Sequence, residues 1–190
     1  MSTIKETSMQ MGRSALLLIV ALASASGHAY AGSVRGPVGV LELPGEIVAS
    51  VAPSNLAHPN IEVSAVITLV NAQSEILDQT SVQMSCVPAI GQLGSEKGIE
   101  RLAAITLQMD GSLKLDKTGE WIEFDSIRAY RTDASRAQNS HLTQWMIPRG
   151  DRVAWIKFDR PRESPMEQAV LSAIGAMQIT CGAVDSDGDG

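Results

Sequence analysis

The chain has 190 residues, 44% hydrophobic and 4% aromatic, with 15 Lys+Arg against 21 Asp+Glu and a formal net charge of −6. This composition is that of a globular domain with a core and excludes a collagen-like or low-complexity polymer. The acidic balance argues against nucleic acid as a partner, because phosphate would be repelled.

The first 31 residues read as a cleaved signal peptide. Lys5 and Arg13 precede an apolar run, "ALLLIVALASA" at 15–25, which is shorter than a bilayer-spanning helix requires. Ala29 and Ala31 fit the A-x-A pattern of signal peptidase sites, which predicts cleavage before Gly32. Met9 and Met11 are alternative start positions to Met1. Loss of Lys5, Arg13 and Glu6 brings the mature net charge to −7. The expected product is periplasmic or secreted, with no stable membrane insertion after cleavage. Residues 32–184 are expected to form one β-rich domain, and 185–190 an acidic flexible tail.

The mature chain reads mostly as short strands. "VGVLEL" at 38–43 and "EIVASV" at 46–51 flank a Pro44-Gly45 turn. In "IEVSAVITLV" at 61–70, the row Ile61, Val63, Ala65, Ile67, Leu69 is wholly apolar and should face the core. "SVQMSC" then alternates Val82, Met84, Cys86, and Pro88 ends that strand. At 96–103, Ile99, Leu102 and Ala103 share a helical face and predict a short helical turn. "AITLQMDGSLKLD" carries Asp110-Gly111 between two alternating runs and predicts a hairpin. A strand over 120–131, a polar connection, a strand "HLTQWMI", a turn "PRGD" and a strand "RVAWIKFD" follow. Near the end, Ser164 and Glu167 form S-x-x-E with Pro165 at the first helical position. That helix should bury Val170, Leu171 and Ile174, and a last strand should carry Cys181. The fold class expected is mainly β: an antiparallel β-sandwich of about 8–9 short strands with one short helix near the C-terminus.

The chain has two cysteines, Cys86 and Cys181, each extending an apolar alternating row. In an oxidising compartment two inward cysteines on distant strands predict a disulfide.

"EWIEFD" at 120–125 recurs as "AWIKFD" at 154–159. Strand periodicity puts Ile122, Phe124, Ile156 and Phe158 in the core. Trp121, Glu123, Trp155 and Lys157 take the opposite face. The two tryptophans are expected either beneath a loop or the 165–174 helix, or as an exposed platform for a sugar ring or peptide.

Charge is uneven. Residues 128–162 carry 8 basic and 3 acidic side chains, whereas 163–190 carry no basic residue and 5 acidic ones. Arg128, Arg131, Arg149 and Arg152, with Trp121 and Trp155 beside them, are therefore the candidate ligand-binding residues. They would meet an acidic envelope polymer or protein through guanidinium forks. The other reading pairs these arginines with acids across the sheet.

The terminal "DSDGDG" opens like a calcium loop but stops before the later ligands, and Arg149-Gly150-Asp151 falls where a turn is expected. No metal site, cofactor motif or catalytic motif is read, and only His58 and His141 are left after leader removal. The sequence thus points to an exported, non-enzymatic binding or structural module of a cell envelope. One rival is a subunit of a surface assembly joined by β-edge pairing. The other is a small secreted hydrolase, which would need a histidine beside a carboxylate and a hydroxyl in a concave pocket.

Overall fold

The computed structural model describes residues 30–51, 62–89, 95–124, 126–136 and 139–181. The apolar leader run, His58, Asp125 and the acidic tail lie outside the described residues.

The protein is mainly β, and all strand pairs among the described residues are antiparallel. Its strands are β1 (Tyr30–Ala31), β2 (Ser33–Gly36), β3 (Gly39–Glu42), β4 (Ile47–Val51), β5 (Glu62–Val70) and β6 (Ile76–Pro88). Helix α1 (Glu96–Met109) follows, then β7 (Leu113–Leu115), β8 (Glu120–Phe124), β9 (Ile127–Arg136), β10 (Ser140–Arg149) and β11 (Arg152–Pro161). Helix α2 (Glu167–Gly175) comes last. Nine strands form one sheet in the order β1-β4-β5-β6-β11-β10-β9-β7, with β8 also on β9; β2 and β3 form a second, two-stranded sheet.

Strand period divides the large sheet into two faces. One presents Val63, Ala65 and Ile67 of β5, Val82, Met84 and Cys86 of β6, and Ala154, Ile156 and Phe158 of β11 to the main core. Val34, Val38 and Leu41 of the β2–β3 hairpin, α2, and the strap at 176–181 close over them. The approach is tight: a Cβ on Gly36 would come within 2.8 Å of Met84 Cε, and one on Gly39 within 2.3 Å of the Gln178 carbonyl oxygen. Thr180 N–H donates to the Val38 carbonyl at 2.8 Å. Cys181 then meets Cys86 in a disulfide with Cα atoms 5.6 Å apart and a sequence separation of 95. Both half-cystines are buried.

The opposite face is covered in part by α1. Ser95 caps this helix by accepting the Gly98 N–H at 3.1 Å. Ile99, Ala103 and Leu107, spaced by four, are its buried stripe. They pack on Met146, Val153, Ala134 and Leu142. Strand β10 lies between two covered faces, so residues 142–147 are buried without alternation.

The expected core row Ile122, Phe124, Ile156, Phe158 is in place: the last three are buried and Ile122 packs against the same cluster. Glu123 and Lys157 point to the other face. Several local expectations are corrected. The helical turn at 96–103 extends to Met109, so no hairpin forms around Asp110-Gly111; the helical spacing of Ile99, Ala103 and Leu107 prevails over the alternation of "AITLQM". The strand expected over 120–131 is a hairpin, β8–β9, turned at Ser126 with φ of 60°. The first copy of the repeat therefore lies outside β9 and does not flank β10. The Pro44-Gly45 turn is present, with Ile47 N–H donating to the Pro44 carbonyl at 3.1 Å, and the runs it joins enter different sheets: β3 pairs with β2, and β4 with β5. The S-x-x-E box does not form: Ser164 Oγ donates to Asp78, and Glu167 is engaged by Arg160. The chain around Cys181 is a strap held by the Thr180 bond, not a strand.

Candidate functional site

The basic block does not gather into one patch. Register puts Arg131, Arg149 and Arg152 on the core side and Arg128 on the helix side. Arg128 donates to Glu96 and stacks 5.0 Å from the Trp121 ring centroid. Arg131 donates to Asp133 at 3.1 Å and lies 5.9 Å from the ring centroid of Trp145. Arg160 is buried, and donates to Thr143 at 3.0 Å and to Glu167 at 2.5 Å. Arg162 donates to His141 at 3.0 Å. The strand register explains the dispersal: residues three apart, such as 128 and 131, take opposite faces. Arg149 and Arg152 differ from the rest. They are directly opposed across the β10–β11 hairpin end, and neither has an acidic partner among the described residues. The turn they flank holds Gly150 with φ of +61°, so Arg149-Gly150-Asp151 is a hairpin tip.

Trp121 and Trp155 share the helix face, where both are half-buried and pack against α1 rather than the C-terminal helix. Trp121 donates to Glu100 at 2.9 Å and packs 5.3 Å from Tyr130. Burial, reinforced by the Glu100 charge, holds the Tyr130 hydroxyl above its usual pKa. Trp155 Nε1–H donates to Gln144 Oε1 at 3.1 Å. Trp145 lies in the main core.

Under the C-terminal half of α1 the same face holds a cavity of about 190 Å³. Its floor is polar, which is unusual for a sheet covered by an amphipathic helix. Gln83, Lys157 and Gln144 stand side by side on β6, β11 and β10; Ser81, Asp159 and Leu142 form the next row. Leu107 and Leu113 provide apolar walls. At the rim, Arg136 bridges two carboxylates, donating to Asp110 at 2.9 Å and also to Asp159. Burial opposes the charge on Arg136, but these bonds outweigh it and raise its pKa. Asp110 is held at about 2 by the Ser112 hydroxyl, the Arg136 bond and the Ser112 N–H. Lys157 has its pKa lowered by burial, opposed by the Glu62 charge. Its ammonium lies 4.0 Å from the Trp155 ring centroid. Gln144 is 1% exposed, and its Nε2 has no partner among the described residues.

Sequence reasoning included Lys157 in the basic block but missed Gln83, Gln144 and Asp159. The available signal was three polar residues at alternate positions of core-forming strands. Its meaning depends on α1 lying over that face, and the sequence pattern predicts only the 96–103 part of that helix.

His141 does lie beside a carboxylate, with Nδ1 3.5 Å from Asp116 Oδ2. Ser135 Oγ donates to the same Asp116 at 2.5 Å. The order is Ser–Asp–His, whereas a nucleophilic relay needs the histidine between the other two. The histidine's Nε2 accepts from Arg162 instead of facing a hydroxyl.

No family model matches the chain, and no curated protein matches it. Among solved structures it is similar to the crystal structure of a protein of unknown function, PA94, from Pseudomonas aeruginosa. The identity is 15% and the TM-score 0.45, over 60% of this chain and 81% of that one.

Proposed function

We propose that this chain is an exported, non-enzymatic binding or structural module of a cell envelope, periplasmic or secreted. The observation that carries the reading is the buried Cys86–Cys181 disulfide, because such bonds persist in oxidising compartments. The leader-like segment at 1–31 supports it. The surface offered to an acidic glycan or protein is the hairpin end bearing Arg149 and Arg152. Like charges directly opposed across two strands are unfavourable unless an anion sits between them, and a carboxylate or sulfate fits two guanidinium forks. The test is fractionation of cells expressing the full chain, with N-terminal sequencing and non-reducing peptide mapping. The product should begin at Gly32, lie outside the cytoplasm and contain the linked Cys86 and Cys181 peptides. A cytoplasmic product with free thiols overturns the reading. Arg149→Gln with Arg152→Gln should abolish salt-sensitive capture of an anionic polymer such as heparin without lowering the melting temperature.

A second reading, a subunit joined through a β-edge, is favoured by one feature. β1 is only Tyr30–Ala31, pairs with β4, and precedes the expected cleavage point. Cleavage before Gly32 would remove β1 and leave the edge of Ile47–Val51 open to a donated strand. Size-exclusion chromatography of the processed chain on dilution separates the readings: a module stays monomeric, whereas an assembly subunit shifts with concentration.

A further inference from the structure

We infer that the cavity beneath α1 is a binding site for a small organic monocarboxylate, held by Lys157 and the Gln144 amide. The first observation is the orphaned amide. The Trp155 indole can only donate, so its 3.1 Å bond fixes the acceptor end of Gln144 on the indole. The Nε2 end is thereby assigned, and it is left buried without a partner among the described residues, in a side chain that lines the cavity. A buried donor without an acceptor costs about 1–3 kcal/mol, so an acceptor is expected there. The second observation is independent of the first. Lys157, cross-strand neighbour of Gln144, lines the same cavity, and no described acid makes an ion pair with it. One cation and an adjacent amide donor match the two oxygens of one carboxylate.

The rest of the cavity narrows the ligand class. The charged lining already balances, with Arg136 and Lys157 against Asp110 and Asp159 and Arg136 engaged by both carboxylates, so Lys157 is left to meet one added negative charge and a dianion such as phosphate or sulfate would be undercompensated. Asp159 Oδ2 is taken by Arg136, leaving its second oxygen to accept from a hydroxyl on the ligand. Leu107, Leu113 and Leu142 offer an apolar wall for a short carbon body. At about 190 Å³ the cavity suits a small ligand, of the size class of acetate, propionate or lactate. Trp155 acts as a positioning residue, orienting the Gln144 amide and lying beneath the Lys157 ammonium. The inference does not depend on export, so it stands or falls apart from the envelope reading.

The test is an amide-resolved NMR titration of the disulfide-bonded chain with acetate, propionate, lactate, inorganic phosphate and glycerol. Saturable shifts are expected at Ser81, Gln83, Thr106, Leu107 and Gln144 with the three carboxylates, with lactate tightest. Lys157→Met should weaken carboxylate binding at least tenfold, and Gln144→Leu should do the same. If Gln144→Leu does not fold, Lys157→Met carries the test, since loss of a half-buried ammonium leaves the core face intact. Three results would overturn the assignment: no saturable shift with any of the carboxylates, meaning that water alone fills the cavity; wild-type carboxylate affinity in Lys157→Met; or binding of phosphate or glycerol as tight as that of lactate.

Discussion

Replacing Phe158 by alanine, and its neighbour Lys157 by methionine, tests the strand phase on which the two-faced sheet rests. Phe158 is fully buried in the main core, with the Arg160 guanidinium 4.8 Å from its ring centroid. Removing the ring forfeits about 2–3 kcal/mol of transfer free energy. A residual cavity of about 60 Å³ adds about 1.4 kcal/mol at roughly 24 cal/mol per Å³. The sum, about 4 kcal/mol, corresponds to a fall of roughly 8–16 °C in melting temperature for a domain of this size. Lys157→Met should have the opposite or no effect. Burial depresses the Lys157 pKa, so the folded state disfavours the ammonium. That cost is fully present below the folded pKa and is relieved as pH rises towards the ordinary 10.5. Wild-type stability should therefore gain slightly in the alkaline range, and the methionine variant should not show that gain. Urea and thermal unfolding followed by tryptophan fluorescence measure both. Equal, small effects for Phe158→Ala and Lys157→Met would refute the phase, and with it the placement of the cavity.

Reduction of Cys86–Cys181 should cost about 4–5 kcal/mol for a closed loop of roughly 100 residues, visible as a lower urea midpoint with reductant; an unchanged midpoint would show that the strap is held without the bond. Glu167→Ala leaves the buried Arg160 without its carboxylate and should cost about 3 kcal/mol, with much of the loss restored by adding Arg160→Met. Asp110 favours its ionised form in the fold, so its contribution is complete above about pH 4 and disappears as pH falls towards about 2. Asp110→Asn should accordingly be less stable than wild type at pH 5 and should converge with it near the acid limit, as followed by circular dichroism across an acid titration.

The strands were legible wherever one face is buried and the other is not. Val63/Ala65/Ile67, Val82/Met84/Cys86 and Ile156/Phe158 alternate, and their inward rows meet in one core. Legibility failed where tertiary context doubled or cut a pattern. Residues 142–147 are buried on both sides, so their alternation carries no information about which layer covers which side chain. "EWIEFDSIRAY" gives no Gly or Pro warning of the turn at Ser126, which adopts a left-handed conformation without them. The charge block was visible as composition, but alternation scattered its arginines over two faces. The cavity was hidden for a related reason: Gln83, Gln144 and Lys157 look like a solvent row until α1 is laid over them.

The separation of the two half-cystines sets a schedule for making this protein. Cys86 reaches its place on β6 while 95 residues of chain, including α1, five strands and α2, have yet to be delivered. At about 5–20 residues per second of synthesis, its thiol waits roughly 5–20 s for a mate. Throughout that wait the strap cannot seal the β2–β3 side of the core, so Met84 and its neighbours stay open to solvent or to a holding factor. With no third cysteine in the sequence, the waiting thiol has no wrong intramolecular choice, only intermolecular ones. The hazard during production is therefore a dimer of half-made chains, and an oxidant supplied late should give more native monomer than one supplied early.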